Sequence, residues 1–452
     1  MVNAENPRRE VSDFLFIDFS DFNYIFASKS EVRLRLGNKI KQVCFVLHST
    51  CTNFVVKNTQ TQFYMLTCIT NIDIYTEHEI IRNGAIIIEN GIITEIHTSP
   101  IQKENAILIE GKNLSAIPGY IDTHCHGGGG FDCNDGTLES VIGMRDFYSQ
   151  HGVTSLYPTL AANKIPATIE GLEAIRRAMQ LNQPGYTEIC GTHMEGPFLN
   201  KVYKGSQAEG AIIPLSDEHL QLYADYKDVV KRTTIAPEVE KNIEYFPAIR
   251  ELGIQLSIGH SCTEYKDIIY AATQGATSVT HLYNAMSQTK KVGPYRIGGV
   301  LEAGLTLDSL YAEVIADGHH VPNELLLIAY RCKGADKLSV CSDANHAAGG
   351  VDGDVIHTCG VTFIIENGVS MNSERTSFAS SITPIDQMVR HLIFETGIPA
   401  FDAVKMASTT TAKMMGIDDK KGSIAIGKEA DINLVDAQFN VIKTFFKGKQ
   451  GI

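Results

Sequence analysis

The sequence predicts an α/β protein built as a (β/α)8 barrel of the TIM type with a small β-sandwich domain. In the middle of the chain, eight strand-like runs alternate with helix-like runs, which is typical of a parallel sheet. Short strands with turn signals occupy both ends of the same region instead. Residues that can bind a metal follow one predicted strand after another, where barrel enzymes build their active sites.

The totals limit the classes of partner. The chain has 452 residues, of which 44% are hydrophobic and 20% charged, and its formal net charge is -13. Nucleic acids and anionic membranes are bound by clustered Lys and Arg, so we expect neither as a partner. The ten cysteines include no Cys-x-x-Cys pair, and several lie in apolar runs. We therefore expect reduced thiols and a cytoplasmic protein without a membrane span.

Four segments make up the predicted domain organisation. Residues 1-64 are an unassigned N-terminal extension, because charged residues interrupt every apolar run and no periodicity persists. Residues 65-116 form the first part of the β-sandwich, with turns predicted at Asn83-Gly84 and Asn90-Gly91. The metal-dependent barrel spans 117-415, and 416-452 completes the sandwich. The patterned run begins just after Met65, so the protein is expected to function without its extension.

The predicted barrel strands are short apolar runs, at 117-124, 152-160, 188-195, 233-237, 255-260, 277-283, 311-317 and 337-343. Between them, apolar residues recur at helical spacing. The first strand leads into His124-Cys-His126 and four glycines. Side chains two residues apart in a strand face the same side, so both imidazoles can bind one metal. The alternative is a pair of solvated histidines beside a flexible loop.

Further polar residues end other predicted strands: Glu195 the third, His260 the fifth, His281 the sixth and Asp343 the eighth. Each also has an ordinary explanation, such as a surface acid, a core histidine or a helix N-cap. Together they would surround one barrel mouth. Imidazole and carboxylate ligands suit Zn, Fe, Mn or Co, among which the residues do not choose. Such a metal supports hydrolysis of an amide.

These residues carry a family resemblance. The order His-x-His, Glu, His, His, Asp on successive strand ends resembles the amidohydrolase superfamily. The blocks His193-Met-Glu-Gly-Pro-Phe, Thr280-His-Leu-Tyr-Asn-Ala-Met and Ile315-Ala-Asp-Gly-His-His resemble its N-acetylglucosamine-6-phosphate deacetylase family, from about Leu66 to the C-terminus.

The resemblance implies a divalent metal, one or two per subunit, with zinc expected first and Fe, Mn or Co as alternatives. It implies that Glu195, His260 and His281 hold the principal metal, that His124 and His126 serve a second one, and that Asp343 is the catalytic acid and base. The positions that match substrate-binding residues are Ser206, Gln207, Asn284, Ala285, Asp317, His320, Phe378, Ala379 and Ser380.

Two positions depart from the family pattern. Gln207 stands where many members have a His that contacts the substrate acyl group. Val292 stands where the family usually has an Arg for the sugar phosphate, although Lys290, Lys291 and Arg296 lie close by in the sequence. Recognition of the phosphate is therefore expected to rest on other cations.

The implied reaction converts N-acetylglucosamine 6-phosphate to glucosamine 6-phosphate and acetate, in amino-sugar catabolism, with a homodimer or higher homo-oligomer expected. Deacetylation of N-acetylgalactosamine 6-phosphate or another acylated amino sugar remains an alternative. An amidohydrolase of cyclic amides is disfavoured because those resembling hydantoinases use a modified lysine on the fourth strand, and 233-238 contains no lysine. A catalytically silent binding protein on the same fold is the last alternative.

Overall fold

The computed structural model describes residues 23-28, 31-36, 39-44, 66-358, 361-372 and 374-451. The chain divides into two compact units, Met1–Phe63 and Tyr64–Ile452. In the first unit, three antiparallel strands pair in chain order: Asn23–Ser28, Glu31–Leu36 and Lys39–Cys44. The expectation that no strand pattern persists there was wrong, because Glu31-Val-Arg-Leu-Arg-Leu36 alternates charged and apolar residues with the period of a strand. The expected start after Met65 lies outside the described residues.

The second unit contains the predicted barrel. Its strands, β1 to β8, are Tyr120–Cys125, Val153–Leu160, Thr192–Glu195, Val230–Ile235, Gln255–Ile258, Ala276–Val279, Tyr311–Ile315 and Leu338–Cys341. Each pairs in parallel with the next. A parallel bridge between Cys125 and Ala344 joins the last strand to the first. This arrangement confirms the (β/α)8 barrel.

The helices are α1 to α10: Leu138–Gln150, Ile165–Gln180, Asp217–Asp225, Phe246–Glu251, Tyr265–Thr273, Val300–Thr306, Asn323–Lys333, Ile385–Phe394, Ala400–Met406 and Thr409–Met415. Local sequence explains where they begin. The Thr137 hydroxyl accepts a hydrogen bond from the Ser140 N–H and caps α1, and a proline stands in the first turn of α2. The buried side chains of α2, from Thr168 to Ala178, recur at helical spacing.

A second sheet combines strands from both ends of this unit. Its eight strands are Leu66–Tyr75, Ile80–Glu89, Ile92–His97, Ile107–Glu110, Ser115–Pro118, Ile432–Val435, Val441–Phe446 and Lys449–Gln450. They form one hydrogen-bonded sheet, in which Ser115–Pro118 pairs with Ile432–Val435. Ile69, Ile86 and Phe445 share its apolar core. Because Tyr64–Ile452 is a single compact unit, the division at residues 116 and 415 stays a prediction.

The two predicted turns differ in the structure. Asn90-Gly91 connects two antiparallel strands with positive φ at both residues, as a type I′ hairpin requires. Asn83-Gly84 lies inside Ile80–Glu89, where the register is irregular and the Asp73 carboxylate accepts a hydrogen bond from the Asn83 N–H. A β-bulge therefore stands at Asn83-Gly84 in place of the predicted turn.

Several short elements follow the C-terminal ends of the barrel strands and were not predicted. A hairpin of Lys290–Val292 and Tyr295–Ile297 follows β6. Three antiparallel strands, Val355–Thr358, Val361–Glu366 and Val369–Asn372, follow β8. The other short pieces are Gly127–Gly128 with Phe131–Asp132 and the 3-10 turns Cys133–Asp135, Lys201–Tyr203, Glu209–Ala211 and Asn242–Tyr245. Glu188–Ile189 is different, because it lies just before β3 and inside the predicted strand 188-195.

Among the described residues, no helix combines the length and the apolar composition that a bilayer crossing requires. Cysteines such as the buried Cys341 and the exposed Cys332 are free thiols.

Candidate active site

The structure brings all of the predicted metal-binding and catalytic residues to one end of the barrel. His124 lies in β1 and Glu195 ends β3. The others stand two or fewer residues beyond the ends of their strands, and all of the set are buried: His124, His126, Glu195, His260, His281 and Asp343. Because the strands are parallel, their carboxyl ends share one edge of the sheet.

Three of these residues form the principal cluster: Glu195, His260 and His281. Glu195 Oε1 lies 3.0 Å from His260 Nε2 and 2.9 Å from His281 Nε2. The two Nε2 atoms are 3.1 Å apart. Two imidazole nitrogens and a carboxylate oxygen thus converge on one point, an arrangement of donors that suits a divalent cation.

The second cluster consists of His124, His126 and Asp343. Asp343 Oδ1 lies 3.5 Å from His124 Nε2 and 3.3 Å from His126 Nε2. Glu195 connects the two clusters, because its Oε2 is 3.2 Å from His126 Nε2 and its Oε1 is 3.4 Å from His124 Nε2. A carboxylate placed this way can bridge two cations.

The far side of each of three imidazole rings has a fixed partner. His126 Nδ1 lies 3.0 Å from the Thr159 carbonyl, and His260 Nδ1 lies 2.8 Å from the Tyr203 carbonyl. His124 Nδ1 lies 3.1 Å from Glu313 Oε2. A carbonyl or carboxylate at Nδ1 accepts the ring proton there, which leaves the Nε2 lone pair directed at the clusters.

Glu313 and its partner Arg232 were missed by the sequence analysis. Both side chains are fully buried inside the barrel. The guanidinium of Arg232, on β4, donates to both carboxylate oxygens of Glu313, on β7, and the nearer Nη1–Oε1 pair is 2.5 Å apart. A single acid in the apolar run Tyr311–Ile315 and a single Arg among the threonines of β4 were the available signal, since buried charges must pair.

Electrostatic interactions keep both acids of the site ionised. Burial raises the pKa of Glu195, but the facing histidines, His124 and His260 foremost, outweigh it and hold that pKa well below its usual range. Asp343 follows the same pattern, since His124 and His126 outweigh burial and lower its pKa. In return, burial lowers the pKa of His124, but Asp343 and Glu195 raise it to about 10. Both carboxylates are therefore available, in their ionised form, to bind a cation.

Backbone strain is concentrated at the same positions. His260, His281 and Asp343 have φ values of 47°, 29° and 43°. Non-glycine residues adopt positive φ rarely, at a cost of about 1–3 kcal/mol each, and such residues cluster at functional sites. The surrounding hydrogen bonds hold this geometry. For example, the Asp343 N–H donates to the His124 carbonyl at 2.8 Å.

On the substrate side, Asp317 and His320 form a pair. His320 Nδ1 lies 2.7 Å from Asp317 Oδ2, and the His320 ring is 4.9 Å from that of Phe378. Burial lowers the pKa of His320, but the Asp317 carboxylate outweighs it, so the pKa is raised above the ordinary value. An imidazole whose protonated form is favoured by a carboxylate, beside a partly exposed aromatic ring, suits a polar, anionic sugar.

Gln207 is held at both ends of its amide. Its Nε2 donates to Glu195 Oε2 at 2.6 Å, and its Oε1 accepts from the Ala162 N–H at 2.8 Å. The side chain therefore orients Glu195, a contact that the resemblance did not imply. Ser206 is exposed next to Gly205, whose backbone passes close to the His260 ring.

The remaining predicted substrate positions lie in the loops after β6 and β8. Ala285 has φ of 48°, and its carbonyl accepts from the Ser261 N–H. The carbonyl of Ala379, which is buried, accepts from the Asn345 amide, and Ser380 has φ of 61°. Asn284 donates weakly, at 3.4 Å, to the Leu282 carbonyl. Val292 lies on the hairpin after β6 with its side chain half exposed.

Known proteins are similar to this chain in sequence and in fold. The chain is 31% identical over 384 residues to N-acetylglucosamine-6-phosphate deacetylase of Bacillus subtilis (strain 168), covering 84% of this chain and 96% of the relative. It is 28% identical to N-acetylgalactosamine-6-phosphate deacetylase of Escherichia coli O157:H7, covering 80% and 93%. A crystal structure of N-acetylglucosamine-6-phosphate deacetylase from Pasteurella multocida superimposes with a TM-score of 0.79 at 29% identity, covering 85% and 99%.

A family model agrees with these similarities. The model described as the amidohydrolase family matches residues 115–451, which include the whole barrel and every residue of both clusters. With the site at the strand ends where the order of residues predicts it, the chain belongs to the amidohydrolase family.

Proposed function

We propose that the protein hydrolyses the N-acetyl group of N-acetylglucosamine 6-phosphate, releasing acetate and glucosamine 6-phosphate. One observation carries the proposal: two histidine nitrogens converge on one oxygen of Glu195, with the ionised Asp343 next to them. Relatives that match over most of their length and are named for this reaction support it.

The residues of the principal cluster fit a divalent metal. His260 Nε2 and His281 Nε2 face each other at 3.1 Å beside a carboxylate, a contact that a shared cation stabilises. His124 Nε2 and Asp343 Oδ1 are buried without a hydrogen-bond partner among the described residues. Buried polar atoms normally have a partner, so this observation fits atoms that bind a metal or a metal-bound water. Glu195, His260 and His281 would hold the principal ion, preferably zinc, and His124 and His126 a second. A bound ion lowers the pKa of water toward about 7 and polarises a carbonyl.

Asp343 is the proton carrier of the proposed reaction. Its lowered pKa keeps Oδ1 unprotonated at neutral pH, so this oxygen can accept a proton from the attacking water. The same oxygen then delivers the proton to the sugar nitrogen as the amide C–N bond breaks, because an amine leaves poorly unless it is protonated. The hydroxyl of the water molecule thus ends in the acetate, and its proton ends on the amine product.

The sugar phosphate is held by other residues in this proposal. His320, oriented by Asp317, contacts the phosphate, and the ring of Phe378 contacts the sugar. Lys291 and Arg296 stand opposite each other in the two strands of the hairpin after β6, and they place two cations near Val292. We propose that, in the expected homodimer, these two side chains serve the site of the neighbouring subunit.

Acetate release tests the proposal. Purified protein, freed of metal and then loaded with zinc, should release acetate from N-acetylglucosamine 6-phosphate with a kcat/KM well above that for unphosphorylated N-acetylglucosamine. Metal content should reach one or two ions per chain. Equal kcat/KM for both sugars would contradict the phosphate-specific assignment. Bound metal with no acetate release from any acylated amino sugar would favour a catalytically silent binding protein.

The galactosamine epimer is the second candidate substrate. A relative named N-acetylgalactosamine-6-phosphate deacetylase matches 80% of this chain, at 28% identity, so the family similarity does not separate the epimers. Parallel assays with the two 6-phosphates decide between them. The preferred epimer is the one with the higher kcat/KM.

A further inference from the structure

Glu238 stands three residues beyond the end of β4 and belongs to neither cluster. Its carboxylate accepts four hydrogen bonds. Oε1 accepts from the Cys262 N–H at 2.7 Å and from Asn200 Nδ2 at 2.9 Å. Oε2 accepts from the hydroxyls of Ser261 at 2.7 Å and Thr263 at 2.5 Å. With both oxygens engaged by donors, Glu238 is not placed to bind a metal itself.

The four donors lie on the loops that follow Glu195 and His260, two of the three residues of the principal cluster. Ser261, Cys262 and Thr263 directly follow His260, whose backbone is held at φ 47°. Asn200 belongs to the loop after Glu195, and its N–H donates to the His260 carbonyl at 2.9 Å. Glu238 therefore connects the loop after β3 and the loop after β5 to the end of β4.

The same network extends to the substrate loop after β6. The Ser287 N–H donates to the Ser261 carbonyl at 2.9 Å, and the Ser287 hydroxyl donates to the Thr263 carbonyl at 2.7 Å. Asn284 and Ala285 are just before this connection. A shift of the segment 261–263 would thus move both His260 and the residues proposed to contact the sugar.

We infer that Glu238 is a positioning residue that holds His260 in its metal-binding geometry and keeps the loop after β6 in register with it. As a carboxylate, Glu238 accepts from two N–H groups at Oε1 and from two hydroxyls at Oε2. A glutamine can keep this network, because its oxygen accepts from the N–H groups and its NH2 group donates to the hydroxyls, whereas an alanine removes all four contacts. Loss of such outer contacts typically lowers metal affinity about 10- to 100-fold.

Metal affinity of the full-length protein tests this inference, which rests on the proposed metal-dependent function. Zinc dissociation constants are measured by chelator competition for wild type, Glu238→Gln, Glu238→Ala and Glu238→Asp. Glu240→Gln, an exposed acid two residues away, is the matched control. We expect about 10- to 100-fold weaker binding in the Ala variant, near-wild-type binding in the Gln variant, recovery in part with Asp, and no change in the control. At saturating zinc, KM for the sugar phosphate should also rise in the Ala variant, because the loop that carries Asn284 and Ala285 is no longer held in place.

The outcomes separate this inference from the proposed function. If Glu238→Ala and Glu238→Asp both bind zinc as tightly as wild type, Glu238 has no positioning role, whatever their unfolding temperatures. If Glu238→Ala does not fold, Glu238→Asp decides, because its shorter side chain draws the carboxylate away from the four donors. A wild-type protein that binds zinc and releases no acetate would contradict the proposed function and leave the affinity comparison valid.

Discussion

Asp343 combines three properties that a proton carrier needs: it is buried, it is held ionised by the histidines beside it, and its Oδ1 has no hydrogen-bond partner among the described residues. An amide in its place keeps the shape but cannot accept a proton. We expect Asp343→Asn to lower kcat for acetate release at least about 100-fold. The principal metal ion, measured on the same sample, should be retained because Glu195, His260 and His281 are untouched. Near-normal turnover would remove Asp343 from this role.

His320 should make substrate affinity depend on pH. Burial lowers its pKa, but Asp317 raises it above the ordinary 6.5, so the imidazole stays cationic to higher pH than a free histidine. KM for the phosphorylated sugar should be low below that raised pKa and should increase as pH rises through it. In His320→Asn, KM should be high throughout and this pH dependence absent. The unphosphorylated sugar is the control, and an unchanged KM profile in the variant would contradict the assignment.

Within the barrel, β4 and β7 are joined by the buried pair of Arg232 and Glu313. Removing only one partner leaves an uncompensated charge, so Arg232→Met should lower the free energy of unfolding by about 3–5 kcal/mol. The double variant Arg232→Met, Glu313→Leu should regain much of that stability because no charge remains buried. It should still bind less metal at the second cluster, since His124 loses the acceptor at Nδ1. Urea unfolding of metal-free protein checks the first expectation, and a single variant as stable as wild type contradicts it.

The hairpin after β6 offers a separate test of phosphate recognition. Lys291 and Arg296 stand opposite each other in the two strands, whereas Lys290 Nζ forms an ion pair with Glu264 Oε1 at 3.0 Å. Replacing Lys291 and Arg296 together with Ala should raise KM for the phosphorylated sugar, more so at low ionic strength, and leave the unphosphorylated sugar nearly unaffected. Lys266→Ala, an exposed lysine on α5, is the matched control. Equal effects on both sugars would show that the hairpin acts in some other way.

For the whole molecule, every residue of both clusters lies in the unit Tyr64–Ile452, and the relative from Bacillus subtilis matches 84% of the chain. A protein that begins at Met65 should therefore retain kcat and KM close to the full chain. Acetate release and solubility of the two forms check this. Precipitation of the truncated form, where the full chain stays in solution, would show that residues 1-64 contribute to stability.

Local patterns determined much of this protein. The predicted barrel strands are recognisable in the sequence, and five of the eight have a cluster residue at or just beyond their ends, so the fold and the residues of both clusters follow from periodicity and position. The strand Glu31–Leu36 has a different pattern, the alternation of charged and apolar residues, and it was overlooked.

Only the tertiary structure decided which groups support the site. Glu313 meets His124 across 189 residues of sequence, Arg232 meets Glu313 across 81, and Glu238 meets Cys262 across 24. Gln207 is also bound to Glu195 rather than left open to substrate. No periodicity encodes such pairs. A hydrogen bond depends on the distance and direction between two atoms, and closure of the barrel sets these values only when all eight strands are in place.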